Sequence, residues 1–211
     1  MSEFTSGNLI LSKHKNVIDK NKIEGIKIGE LNSKWTVILT ENDYLDEVPE
    51  YIINISKETP VMIFLNFEDH GWGYKIINNK KELANIYVDY ELVFTMITQK
   101  AEERYPNEDD IIEFLFSNDT GKDVHENLYD EVYNSSEYKN AVEEQFKNKN
   151  VEVFELFGLD TKDINKLTEL LTADTFFKGR YMRDQVENFK EILGIIEMEW
   201  VNYNLTDTLN I

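Results

Sequence analysis

The stretch of this chain best equipped for chemistry is Glu68-Asp69-His70-Gly71-Trp72-Gly73. Two carboxylates and an imidazole stand beside a Trp flanked by glycines. His with carboxylates serves as a metal centre or an acid/base pair, and glycines let the backbone turn sharply or come close to a ligand. Glu68, Asp69 and His70 are therefore the candidate metal ligands, with Trp72 a candidate binding residue next to them. Successive residues of a strand point to opposite faces, so three consecutive ligands require an irregular loop. The plainer expectation is a hairpin connection whose polar residues face water and whose Trp folds back on a sheet.

Other catalytic signatures are missing from the sequence. There is no P-loop and no GxGxxG, and the nine glycines are too scattered to cradle a phosphate. There is no GxSxG, HExxH or protein-kinase set. Asn118 to Asp123 lacks the acidic spacing of a calcium loop. His14, His70 and His125 lie far apart, none with a helical i, i+4 partner. The absence of cysteine excludes disulfides, thiolate catalysis and cysteine metal sites. No cofactor is implied, and a small-molecule or metal-dependent enzyme centred on Glu68–Gly73 is the second functional expectation.

The first expectation comes from charge. The chain carries 41 acidic and 22 basic residues, net −19, and the excess is uneven: residues 101–160 hold 17 acids and 5 bases, net −12. Such a field disfavours nucleic acid and anionic membranes as direct partners and attracts a basic protein surface. Within this acidic third, Glu126, Tyr129, Asp130, Glu131 and Tyr133 combine carboxylates with tyrosines, which bury area at low entropic cost and keep a polar handle. They are the candidate binding residues of an interaction module with a basic partner, for example in an immunity or antitoxin role. A DNA-mimicking inhibitor is a third expectation. Oligomeric state is not legible.

These residues must be positioned by an α+β fold. The expectation is a mostly antiparallel sheet from the N-terminal ~90 residues, packed with a helical C-terminal part. Val61, Ile63, Leu65 and Phe67 oppose Met62, Phe64 and Asn66, both faces largely apolar, as in an inner strand covered twice. Asn8 to Ser12, Lys34 to Thr40, Tyr74 to Ile77 and Leu83 to Tyr90 read as further strands, with Asn78-Asn79 as a tight turn. A helix runs from Asp43 through Val48, Ile52 and Ile55. The closing Met198–Tyr203 alternates like a strand returning to the sheet.

From Leu92 the hydrophobic period becomes helical. One helix ends before Pro106. Asn107 caps a second, with Ile111, Ile112, Leu115 and Phe116 as its buried stripe, broken at Ser117 to Gly121. Val124, Leu128 and Val132 mark a third, and Tyr138, Val142 and Phe146 a fourth. Residues 151–159 fit strand or helix, and Thr161–Leu171 and Phe176–Leu193, the latter including Tyr181, are helices. The expected division is a sheet-rich region over 1–105 and an acidic, mainly helical region over 106–211, unless the two share one core. The apolar runs are too short to span a bilayer, and the N-terminal residues do not read as a signal peptide. A cytoplasmic setting follows as the default. The richness in Lys, Asn and Ile suits an AT-rich bacterial genome.

Overall fold

The structure, a computed structural model, describes residues 3–20, 25–41, 44–117, 119–179, 183–206 and 209. It is α+β. The chain divides into two compact units, Met1–Val88 with Phe146–Ile211, and Asp89–Gln145. Pro106 lies inside the second of them.

The first unit is built on six strands: β1 (Phe4–Leu11), β2 (Lys27–Glu30), β3 (Trp35–Leu39), β4 (Val61–Phe67), β5 (Gly71–Asn78) and β6 (Lys81–Asp89). They form one sheet in the order β2-β3-β1-β4-β5-β6. β1 lies antiparallel between β3 and β4, and starts earlier than its own apolar run because Phe4 to Leu9 pair with Phe67 to Met62. The short β2 has a single Ile and no alternation to betray it; pairing with β3 holds it in place. It lies, with helix α1 (Asn16–Lys20), in a stretch whose composition predicts no element.

Both faces of the sheet are covered. On one, Ile10, Ile38 and Val61 pack with Val17 and Ile18 of α1 and with Ile52 and Ile55 of α2 (Glu50–Ile55). The helix α2 begins after Pro49, which removes an amide that an N-terminus leaves unpaired in any case; the expected start at Asp43 lies outside the described residues. On the other face the ring of Phe189 stacks on Tyr74 at 5.2 Å and lies 5.0 Å from Trp72 and 6.0 Å from Phe64. Phe154 closes on Tyr74 at 5.1 Å and Phe157 on Trp35 at 5.3 Å. Each such side chain contributes about 1.5–3 kcal/mol by leaving water.

The helices of this second face follow Phe146. Val151–Phe157 is a 3-10 helix, and the three-residue spacing of Val151, Phe154 and Phe157 keeps all three rings and branches on one side. α7 (Thr161–Leu170) starts at Asp160, whose carboxylate accepts from Asp163 N–H at 2.9 Å. The single helix expected over Phe176–Leu193 is instead α8 (Ala173–Lys178) and α9 (Asp184–Leu193). Gly179 leaves the helical region at ψ 136°, and Tyr181 lies outside the described residues. Met198–Tyr203 is not a strand either. Trp200 turns the chain at φ 59°. The segment still docks on β1: Ser6 N–H donates to Val201 O at 2.8 Å and Asn202 Nδ2 to Phe4 O at 2.7 Å. It occupies the part of the β1 edge that β3, pairing only from Asn8 onward, leaves uncovered.

The second unit consists of α3 (Leu92–Arg104), α4 (Ile111–Ser117), α5 (Asp119–Asn134) and α6 (Ser136–Gln145). Asp110, not Asn107, caps α4, accepting from Glu113 N–H at 2.8 Å. Its inner side is Ile111 and Leu115; Ile112 and Phe116, expected to be buried, are exposed. Gly121 does not end a helix. It sits inside α5, where a Cβ would overlap the carbonyl of Phe114, so the missing side chain is what lets α5 approach α4. Among the described residues no helix is long and apolar enough to cross a membrane.

Candidate functional site

The sequence singles out two places, and the structure keeps them in different units. In the first unit only Glu68, Asp69 and His70 connect β4 to β5; Gly71, Trp72 and Gly73 belong to β5. Asp69 and His70 are exposed, and the His70 ring lies 6.4 Å from Phe4. Glu68 turns away from them: its carboxylate accepts Glu3 N–H at 3.0 Å and pairs with Arg183 at 3.2 Å. Trp72 is fully buried on the face of the sheet that Phe189 covers. The four therefore do not converge. Among the described residues no group of three or more His, Asp or Glu side chains could hold a metal ion.

In the second unit Glu126, Tyr129, Asp130, Glu131 and Tyr133 all lie on α5 and all are exposed. Leu128 and Val132 turn α5 inward toward α3 and α4, which leaves the opposite side to water. Asp119, Asp123, Glu126 and Asp130 follow one another at i, i+4, i+7 and i+11, a single ridge on that outer side. Among the described residues Asp123, Glu126 and Asp130 make no ion pair, and Asp119 meets only Lys122, at 3.9 Å. The ridge carries bare negative charge. Counted over the whole unit, 16 acidic residues face 4 basic ones, net −12.

Two tyrosines flank the ridge. The rings of Tyr129 and Tyr133 stack at 5.5 Å with an interplanar angle of 13°, and remain 41% and 37% exposed. Tyr138 of α6 supports them from beneath, 5.8 Å from Tyr133. Burial first, then the neighbouring Tyr133, Tyr129 and Asp89, pushes the Tyr138 phenol up to about 12. A stacked, exposed aromatic pair beside free carboxylates has the chemistry to receive a guanidinium, which lies flat on an aromatic face while its N–H groups reach acceptors.

Glu131 plays another part. Its carboxylate takes Lys100 Nζ at 2.9 Å and Arg104 at 2.7 Å, both from α3, so it clasps α5 to α3. Those two bases hold its carboxyl below the usual carboxylate range. The pairing was not visible in sequence, because Lys100 and Arg104 lie a loop and a helix away.

No protein-family model, no curated protein and no solved structure matches this chain.

Proposed function

We propose that the protein is an interaction module whose acidic helical unit docks on a basic, arginine-bearing protein. The observation that carries this reading is the outer side of α5: Asp123, Glu126 and Asp130, without ion pairs among the described residues, beside the exposed Tyr129–Tyr133 stack. Unneutralised carboxylates on one ridge accelerate encounter with a positive surface and select against negative ones. The tyrosines supply buried area once the partner arrives. Neutralising a nuclease-type toxin is one concrete form, since such a partner is basic where it meets nucleic acid and must be caught quickly.

The test is capture from native lysate on the immobilised chain, wild type beside the Glu126→Lys/Asp130→Lys variant. A basic protein held by the wild type and absent from the variant is the expected result. Tyr129→Ala alone lowers affinity by about tenfold, the cost of a central aromatic contact of about 1.4 kcal/mol. The same protein bound equally by all three overturns the reading. Displacement by duplex DNA shows that the ridge occupies the partner's nucleic-acid site, the DNA-mimicking form of this reading.

A further inference from the structure

A second feature, in the first unit, is independent of the acidic ridge. At the end of the sheet where β1 begins and β4 ends, a cavity of about 510 Å³ is lined by Glu3, Asn66, Glu68, Arg183, Glu187 and Glu199, with Trp200. Its floor is unusual for a sheet core. Glu3 is only 8% exposed and Asn66 2%. Glu3 accepts from the Thr5 hydroxyl at 2.6 Å and from Asn66 Nδ2 at 3.1 Å. Both donors are neutral, so among the described residues this buried carboxylate has no ion pair, an expensive arrangement unless a cation is supplied.

The orientation of the Asn66 amide follows from this contact, because only its NH₂ can face a carboxylate. Its Oδ1 is thereby left as a buried acceptor, and among the described residues it has no partner. Directly across the strands from Asn66 stands Trp72, whose buried indole N–H also lacks one. Buried polar atoms are nearly always paired, so the unpaired Asn66 Oδ1, on a residue that lines the cavity, calls for a partner from outside the chain.

The other carboxylates divide by partner. Glu68 is answered by Arg183 and Glu187 by Lys190, at 2.7 Å. Glu199 is exposed and has no ion pair among the described residues. The cavity thus combines one buried and one exposed unneutralised carboxylate, an orphaned amide oxygen, and the half-buried indole of Trp200 in its wall. Apart from the Arg183 guanidinium, which is committed to Glu68, these groups are acceptors and an aromatic face, complementary to N–H groups on a positive charge. A bare metal ion does not suit it, since no three of these side chains converge on a point.

We propose that this cavity binds a small organic cation carrying ammonium or guanidinium groups. One cationic group sits between Glu3 and Asn66 Oδ1, and the aliphatic part or a second charge extends past Trp200 to Glu199. The volume lies within the usual range of small-ligand sites, about 300–1,000 Å³.

Calorimetric titration of the full chain with spermidine and, separately, with agmatine tests this at about 50 mM salt, where charge attraction is not fully screened. Saturable one-to-one binding of either probe is expected. Removing one charge-assisted contact by Glu199→Gln or Asn66→Ala weakens it by about tenfold. Glu199→Gln changes an exposed side chain and so carries the test even where Asn66→Ala fails to fold. The Glu126→Lys/Asp130→Lys variant binds the amines like the wild type, which separates this site from the α5 ridge. Absence of saturation, an affinity unmoved by Glu199→Gln, displacement by magnesium at equal concentration, or loss of binding in the α5 variant instead each overturn the proposal.

Discussion

Trp72 and His70 stand two residues apart and have opposite relations to solvent. Trp72 is packed against Phe189 at 5.0 Å with no exposed surface, whereas His70 is at the tip of the β4–β5 connection. Replacing Trp72 by Ala removes a core aromatic and costs about 3–5 kcal/mol, read as a fall in the urea midpoint. His70→Ala at an exposed turn leaves stability within about 0.5 kcal/mol. A large loss for His70→Ala, or bound metal released by it, would revive the metal reading of that loop. Two other buried side chains set an alkaline limit. Burial pushes the Tyr74 phenol well above its ordinary value, and Tyr138 rises to about 12. These phenols hold their protons more tightly folded than unfolded. Their contribution is complete below about pH 10 and is lost as pH rises toward 12, so tyrosinate absorbance from this pair appears together with unfolding.

At the scale of elements, packing decides what local pattern leaves open. β4 was readable because both its faces are apolar, and it does lie inside a sheet covered on both sides. The tight turn was readable to within one residue: positive φ falls at Asn79 and Lys80, because Asn78 stays in β5. What could not be read depends on distant partners. β2 has no alternation of its own, and Met198–Tyr203 keeps strand-like alternation while docking as an irregular segment. Asn107 and Asp110 are both competent caps, and only the path of the chain after Pro106 selects Asp110. Asp110→Ala therefore costs about 1 kcal/mol of stability and Asn107→Ala a few tenths, a difference that paired denaturation curves resolve. The break expected over Ser117 to Gly121 falls where α4 ends at Ser117 and α5 begins at Asp119. Gly121 itself lies within α5 and serves close helix approach, since interruption and close approach both favour glycine. Gly121→Ala forces α5 away from α4 and destabilises the Asp89–Gln145 unit, seen as faster amide exchange confined to α4 and α5. The candidate site was legible as composition: acids and tyrosines on α5. Its division of labour was not, since Glu131 belongs to the α3–α5 clasp. Of the amine cavity only Glu68 stood out beforehand, although a lone amide in the apolar run of β4, Asn66, was the available signal.

Over the whole molecule, the irregular segment 198–203 docks on β1, the first strand of the sheet. Met198 and Val201 are fully buried, and Val201 and Asn202 complete the edge of β1. Truncation after Ile195 removes both side chains and two hydrogen-bond partners of the β1 backbone, Val201 O and Asn202 Nδ2. The loss of about 3–6 kcal/mol of apolar burial lowers Tm by about 10 °C or more. The charge is divided as unevenly as the structure, with net −12 of the total −19 carried by Asp89–Gln145. We propose that the part of this charge borne by the outer side of α5 recognises a basic protein. The measurement that tests it most directly is capture of that partner from lysate at about 50 and about 500 mM salt, a range over which surface attraction is strongly screened. Retention by the wild type at low salt only, with none by Glu126→Lys/Asp130→Lys at either, is the predicted result. A partner held equally at both salt concentrations, or held by the reversed variant, would contradict it.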